Sequence, residues 1–340
     1  MVRAGNTLAF DTEFLREKTY HPLLCLAQLN IDGKILIIDP LQALDYSELW
    51  QALLDAELTL HAGRQDLEVL AGVADGLPRR LFDTQIAAGL IGLPPQVGYA
   101  SLVDEVCHVR LDKAHTRTDW SRRPLAQAVL QYAADDVVYL TRVREHLSSE
   151  LDRLDRLHWL HEDCASLLDP EHFTVDTKGA WRRVKGLGRL PGEVQQRGRA
   201  LASWREAMAD RRNLPRQWLL RDEALIAIAF EAPDDIDTLA GINGVPRKLI
   251  DRRGKDILAV LAGELDAVPA PRSRPDEAEK KLVKLLSTIV REAALSLAIE
   301  PEVLAPQKAL RRIAAGDLQV RALTGWRDTV IGEAIRAQLP

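Results

Sequence analysis

The stretch Leu8-Ala9-Phe10-Asp11-Thr12-Glu13-Phe14 decides the fold and supplies the first candidate site residues. Its apolar residues predict a strand. Side chains of a strand alternate between its two faces, so Asp11 and Glu13 leave the same face. Neighbouring carboxylates repel each other, and one takes up a proton unless a cation lies between them. Mg²⁺ or Mn²⁺ would suit the pair because both prefer oxygen ligands, although solvated acids at an exposed strand end give the same short pattern.

The composition is that of a globular protein with two or three domains. The chain has 340 residues, of which 46% are hydrophobic. No run of about 18 apolar residues predicts a membrane span, and the first residues lack the charged-then-apolar order of a signal peptide. The cysteines, Cys25, Cys107 and Cys164, form no C-x-x-C pair, so neither a zinc knuckle nor a disulfide framework is predicted. We expect a cytoplasmic protein without membrane contact.

The formal net charge of −5 is unevenly distributed along the chain. Residues 1–177 hold 16 Lys/Arg and 28 Asp/Glu, whereas residues 178–340 hold 29 and 22. An acidic first part suits metal chemistry and a basic second part suits anion binding. Ordinary variation of charge between domains would give the same difference.

Alternating strand and helix patterns predict an α/β domain with a mixed sheet at the start of the chain. Strands are predicted at residues 8–14, 23–29 and 34–38, with Asp32-Gly33 as the turn of a hairpin, followed by short strands at 58–61 and 81–82. Helical spacing covers 46–54, 66–71, 84–92, 102–107 and 125–147. From residue 151 onward only helices are predicted, interrupted by a proline-rich linker at 266–278.

Three further residues extend the acidic pattern. Asp66 lies near the start of a helix that follows a strand, where capping and metal binding are equally good interpretations. Tyr132 and Asp136 are four residues apart on the predicted helix 125–147, so they share a face. A phenol can orient a water molecule and a carboxylate can bind a metal, but a pair on a solvated helix surface has the same spacing.

The set D-x-E, Asp66 and Y-x-x-x-D resembles the DEDD exonuclease superfamily, in its subgroup with tyrosine in the last motif. The surrounding residues are similar to the ribonuclease D family, and the basic region matches its joining segment and an HRDC domain (helicase and RNase D C-terminal). The segments that carry this resemblance are 10–14, 61–69, 82–85, 117–120 and 132–136, followed by 180–186, 204–206, 213–215, 241–245 and 254–255.

The resemblance implies an α/β fold with an RNase H-like mixed-sheet exonuclease domain, followed by two small all-helical HRDC-type domains. The implied boundaries are residues 1–175 for the exonuclease domain, 176–265 for the HRDC domain with its joining segment, 266–278 for the linker, and 279–340 for a second, divergent HRDC-like domain. Family members usually carry a helix or more before the first strand, so we expect either a late start or the loss of that element here.

The implied activity is that of a 3′–5′ exoribonuclease, most simply a monomer, which trims the 3′ ends of tRNA precursors and other structured RNAs. Asp11, Glu13, Asp66 and Asp136 would hold two divalent ions, Mg²⁺ or Mn²⁺, and Tyr132 would orient the attacking water. Two-metal-ion hydrolysis would release nucleoside 5′-monophosphates. Two alternatives stay open: a catalytically silent exonuclease fold that binds RNA, and a DNA 3′–5′ exonuclease.

Candidate RNA-binding residues fall into two groups. The first, beside the acidic site, comprises His61, Lys113, Arg117 and Trp120; the second, in the basic region, comprises Arg182, Arg183, Lys185, Arg252, Arg253 and Lys255. Cations in the second group would contact phosphates without reading sequence. The alternatives are a packed histidine and tryptophan, a solvated loop, and an ordinary charged helical surface.

Overall fold

A five-stranded mixed sheet is the centre of the first half of the protein. The computed structural model describes residues 7–112, 118–267 and 276–339. The sheet has the order β3-β2-β1-β4-β5; β2 and β3 are antiparallel, and β4 is parallel to both β1 and β5. The strands are β1 (Thr7–Leu15), β2 (Leu23–Ile31), β3 (Lys34–Ile38), β4 (Glu57–Leu60) and β5 (Arg80–Asp83). The predicted mixed sheet and its hairpin turn are confirmed.

Seven helices accompany the sheet: α1 (Ser47–Asp55), α2 (Arg64–Ala74), α3 (Thr84–Leu90), α4 (Tyr99–Cys107), α5 (Gln127–Val138), α6 (Leu140–Arg153) and α7 (Leu157–Leu167). The single helix predicted over residues 125–147 is wrong, because α5 ends before Tyr139 and α6 begins after it. The side-chain amide of Asn30 donates hydrogen bonds to the carbonyls of Val137 and Val138. Strand β2 thus binds the last carbonyls of α5, which lack partners within the helix.

A second group of helices follows: α8 (Gly192–Arg212), α9 (Arg216–Leu219), α10 (Asp222–Glu231), α11 (Ile236–Gly241) and α12 (Arg247–Ala262). Their core contains Leu201, Leu225, Ile228 and Ile257, all without exposed surface. The described residues form two compact units, and this group belongs to the second, whose described residues are 16–23 and 173–267. No strand follows Asp83 in the ranges that the structure describes, as predicted.

The last helices are α13 (Glu277–Leu297), α14 (Pro301–Leu304), α15 (Gln307–Ala314), α16 (Gly325–Arg327) and α17 (Glu333–Arg336), with a π-helical turn at Asp328–Gly332. The chain leaves helical geometry at Ala305, because a residue before proline is disfavoured in the helical conformation. These helices belong to the first compact unit together with the sheet. The predicted domain boundaries stay predictions. Within the described parts of the chain, no helix is long and apolar enough to cross a membrane.

A buried carboxylate on α7 holds the last helices in the first unit. Asp163 accepts two hydrogen bonds from the guanidinium of Arg327, at 2.6 and 2.8 Å, and one from the indole of Trp326. It also pairs with Arg321 at 2.7 Å. The ring of Trp326 stacks on Trp159 with 4.2 Å between ring centroids. Burial would raise the pKa of Asp163, but the hydrogen bonds and charge of Arg327 outweigh it and the pKa is lowered.

Replacing this carboxylate should destabilise the protein strongly. Asp163→Asn leaves Arg327, of which 8% is exposed, as a buried charge without its counterion. Breaking a buried pair in this way costs about 3–5 kcal/mol, measured as the free energy of unfolding in denaturant. Glu277→Gln, which breaks the exposed pair with Lys280, is the control and should cost less than about 1 kcal/mol. Equal losses for both variants would contradict this role of Asp163.

Candidate active site

The second half of β1 and the last turn of α5 bring three carboxyl groups together. Asp11 and Glu13 on β1 and Asp136 on α5 each offer one oxygen, and these oxygens lie within 4.8 Å of one another. Alternation along β1 places the first two on one face, as the sequence predicts. The third comes from a helix more than a hundred residues away in the sequence. We call this group the carboxylate cluster.

Asp66 supports the cluster from α2. Its carboxylate does not cap the helix: the helix begins after Gly63, with no side-chain cap. Instead, Asp66 Oδ1 accepts hydrogen bonds from the backbone N–H of Thr12, at 3.1 Å, and from the Thr12 hydroxyl. Asp66 therefore fixes the residue between Asp11 and Glu13. Its burial raises its own pKa to about 6, against the hydrogen bonds from Thr12, which lower it.

Burial and mutual repulsion make the cluster unfavourable in its fully ionised form. The pKa of Glu13 is raised to about 8 by burial and then by the charges of Asp136 and Asp66. The pKa of Asp136 rises to about 7 through burial, the charge of Asp135 and that of Asp66. Burial and the other three acids also hold the pKa of Asp11 well above its ordinary value. A set of oxygen donors with this excess of negative charge fits a divalent cation.

Tyr132 precedes Asp136 by one turn of α5. Its ring lies 6.3 Å from that of Trp120, centroid to centroid. Burial raises the pKa of Tyr132 to about 12, and the charges of Asp136, Glu13 and Asp11 add to the shift. The phenol therefore keeps its proton near neutral pH and can donate a hydrogen bond.

A second buried aspartate, Asp83, shapes the loop that leads into α2. It caps α3 by accepting hydrogen bonds from the N–H groups of Gln85 and Ile86. It also accepts one from Gly63 at 2.9 Å and one from Ala62 at 3.3 Å. Gly63 is required at its position because an added Cβ would lie 2.4 Å from the Leu60 side chain. Sequence spacing gives no signal for this link between β5 and the loop before Asp66.

Two of the predicted RNA-contacting residues of the first unit, His61 and Trp120, are packed against other protein groups, and their contact with RNA stays a prediction. Both ring nitrogens of His61 contact protein groups, Nδ1 the Thr84 hydroxyl at 2.9 Å and Nε2 the Val97 carbonyl at 3.0 Å. Burial lowers the pKa of His61. Trp120 is 5% exposed and packs in the core, so for both residues the packing alternative agrees with the structure. Lys113 and Arg117 lie outside the described residues.

The six basic residues predicted to bind RNA all lie in the second unit. Arg183 pairs with Glu206 at 3.1 Å, and Arg253 with Asp256 at 3.1 Å. Arg182 lies over the ring of Trp181. The other three, Lys185, Arg252 and Lys255, are exposed. Their contact with RNA stays a prediction.

The raised pKa values predict how pH acts on the metal-free protein. The carboxyls bind protons more tightly in the folded than in the unfolded chain, so their contribution to stability falls as pH rises from about 4.5 to about 8, the ordinary and shifted pKa values of Glu13. Glu13→Gln should therefore raise the thermal midpoint of the metal-free protein at pH 8 and change it little at pH 4. Mg²⁺ or Mn²⁺ should stabilise the wild type more at pH 8 than at pH 5. Stabilisation independent of pH would contradict the cluster as the cation site.

The chain is similar to known proteins over nearly its whole length. The 3′-5′ exonuclease family profile matches residues 1–152, and the HRDC domain profile matches residues 195–261. Ribonuclease D from Gluconacetobacter diazotrophicus is 38% identical, with 96% of this chain and 86% of that protein covered. Ribonuclease D from Granulibacter bethesdensis is 37% identical, covering 96% and 85%.

A solved structure agrees with these relatives. Escherichia coli RNase D, described as an exoribonuclease involved in structured RNA processing, is 31% identical with a TM-score of 0.86, and the match covers 99% of this chain and 94% of that one. The resemblance found in the motifs is thereby confirmed. The chain belongs to the ribonuclease D family of 3′–5′ exonucleases.

Proposed function

We propose that this protein hydrolyses RNA from its 3′ end and releases nucleoside 5′-monophosphates. The observation that carries the proposal is the carboxylate cluster, in which Asp11, Glu13 and Asp136 meet within one cation's reach. Family membership supports the direction of attack and the RNA substrate. All four acids and the tyrosine of the family pattern are present, which favours an active enzyme over a silent RNA-binding fold.

The residues of the site have two roles in hydrolysis: the acids bind metal ions and the tyrosine orients water. Asp11, Glu13, Asp66 and Asp136 would hold two divalent ions, Mg²⁺ or Mn²⁺, which when bound would lower the pKa of the attacking water and stabilise the leaving 3′ oxygen. Asp66 also uses Oδ1 to hold Thr12 in place between Asp11 and Glu13. Tyr132 keeps its proton and donates a hydrogen bond that orients the water.

We further propose that the physiological substrates are structured RNAs with unpaired 3′ ends, including tRNA precursors with 3′ trailers. The Escherichia coli relative is an exoribonuclease involved in structured RNA processing. The exposed cations Lys185, Arg252 and Lys255 suit phosphate contacts that do not depend on sequence. We expect the protein to act as a cytoplasmic monomer.

The first test is hydrolysis of a 5′-labelled RNA with an unpaired 3′ end. With Mg²⁺ or Mn²⁺ we expect a ladder of products shortened one nucleotide at a time, and none with a chelator. Asp11→Ala should leave RNA binding mostly intact and lower the rate of hydrolysis by more than about a hundredfold. Loss of a residue that only hydrogen-bonds to a metal ligand usually costs up to about a hundredfold, and loss of a ligand itself should cost more.

A matched DNA strand in the same assay identifies the substrate class. Preferential cleavage of DNA would replace the RNA proposal by a DNA exonuclease. RNA binding without any ladder would favour the silent fold. Near-wild-type hydrolysis by Asp11→Ala would exclude the two-metal assignment.

Loss of the Tyr132 hydroxyl should be milder than loss of a metal ligand. A hydrogen bond to a charged partner is worth about 1.5–3 kcal/mol, so Tyr132→Phe should lower kcat by roughly 10–150-fold with little change in KM. Tyr46→Phe is the matched control, because its hydroxyl donates to the Asp39 carbonyl and not to the cluster. Unchanged kcat in Tyr132→Phe would remove the phenol from the mechanism.

A further inference from the structure

A basic cavity lies among the last helices, and none of the residues that line it belongs to the carboxylate cluster. Its volume is about 350 Å³. Four of the eleven side chains that line it are cationic and one, Glu302, is acidic. The cations are Lys308, Arg312, Arg321 and Arg327. Val303, Leu304 and Val320 contribute apolar wall.

Neighbouring acids hold the three guanidinium groups in place. Arg327 donates from Nε to the Val303 carbonyl and from both Nη atoms to Asp163. Arg321 pairs with the same carboxylate through Nη2 alone, and half of its side chain is exposed. Arg312 donates from Nε to Asp317 at 2.7 Å and from Nη2 to the Gln319 carbonyl at 2.9 Å. Arg321 and Arg312 therefore keep unused N–H donors while their positions are fixed.

Lys308 is the cation that the protein itself does not neutralise. It is exposed on the first turn of α15, which contains no acid. It makes no ion pair within residues 7–112, 118–267 and 276–339. The four cations are accompanied by three acids: Glu302 lines the cavity, and Asp163 and Asp317 pair with the arginines. The one positive charge in excess therefore belongs to Lys308.

We propose that this cavity binds a backbone phosphate of an RNA strand. An ammonium group beside fixed guanidinium groups complements the oxygens of a phosphodiester, with Lys308 as a mobile point charge and the arginines as oriented donors. The choice of RNA over another anion rests on the proposed function. The cavity gives the last helices a role in holding substrate in addition to their packing against α7.

The test is equilibrium binding of a single-stranded oligoribonucleotide to the full-length protein in chelator, over a series of salt concentrations. Each phosphate contact on a single strand contributes about 0.7 to the slope of log K against log salt. Lys308→Ala should lower that slope by about 0.7 and weaken binding roughly fivefold at 0.1 M salt. Lys308→Arg should keep both, because it retains the charge.

Lys284→Ala is the matched control, since Lys284 is an exposed cation on α13 that does not line the cavity. An equal loss in Lys284→Ala would show a diffuse charge effect and overturn the proposal. An unchanged slope in Lys308→Ala, or no RNA binding by the wild type, would overturn it as well. Binding is measured in chelator, where no hydrolysis occurs, so the two proposals are tested separately. If the protein binds RNA but cleaves none, the proposed function is refuted, and the binding of Lys308→Ala still tests the cavity.

Discussion

Repulsion among half-buried carboxylates is the constraint on which the rest of the structure depends. One carboxylate oxygen from each of Asp11, Glu13 and Asp136 lies within 4.8 Å of the other two, and burial and the charges of neighbouring acids raise the pKa of all three. Such a group cannot hold itself together, because every added negative charge drives the others apart or into protonation. The surrounding scaffold must supply the positioning. The central strand β1, paired in the sheet on both sides, is the most constrained place that the fold offers.

Two further buried aspartates hold the main chain around the cluster in place. Asp66 joins α2 to the Thr12 backbone between the two acids of β1, and Asp83 joins the loop before α2 to the end of β5. Each accepts backbone N–H groups, so each orients main chain and not merely a side chain. The N–H of Asp83 in turn donates to the sulfur of Cys164 on α7. The residue before Cys164 is Asp163, which holds the last helices, so one short segment of α7 serves both the site and the packing of the C-terminal helices.

The sequence predicted the arrangement of site residues that are close together in the chain. Alternation predicted that Asp11 and Glu13 share a face, and helical spacing predicted the neighbourhood of Tyr132 and Asp136. Prediction failed where a distant side chain decides the outcome. At the break between α5 and α6, the last carbonyls of α5 bind the Asn30 side chain of β2, a contact that helical spacing cannot predict. The sequence also left open whether Asp66 caps its helix or binds a metal. Its carboxylate binds Thr12, 54 residues away, and does not cap the helix.

The buried pair of Asp163 and Arg327 also determines how the catalytic unit can be isolated. A truncated variant that ends near residue 177 would keep all the catalytic candidates, since they all precede that point. It would nevertheless strip Asp163 of Arg321, Trp326 and Arg327 together and leave an uncompensated carboxylate beside α3 and β5. A carboxylate without counterions inside a protein takes up a proton or admits water, and the next residue, Cys164, accepts the hydrogen bond from the N–H of Asp83. A loss of activity on truncation would then report on the packing of α7 as much as on RNA binding. Single substitutions at exposed cations separate the two effects, because they leave that packing intact.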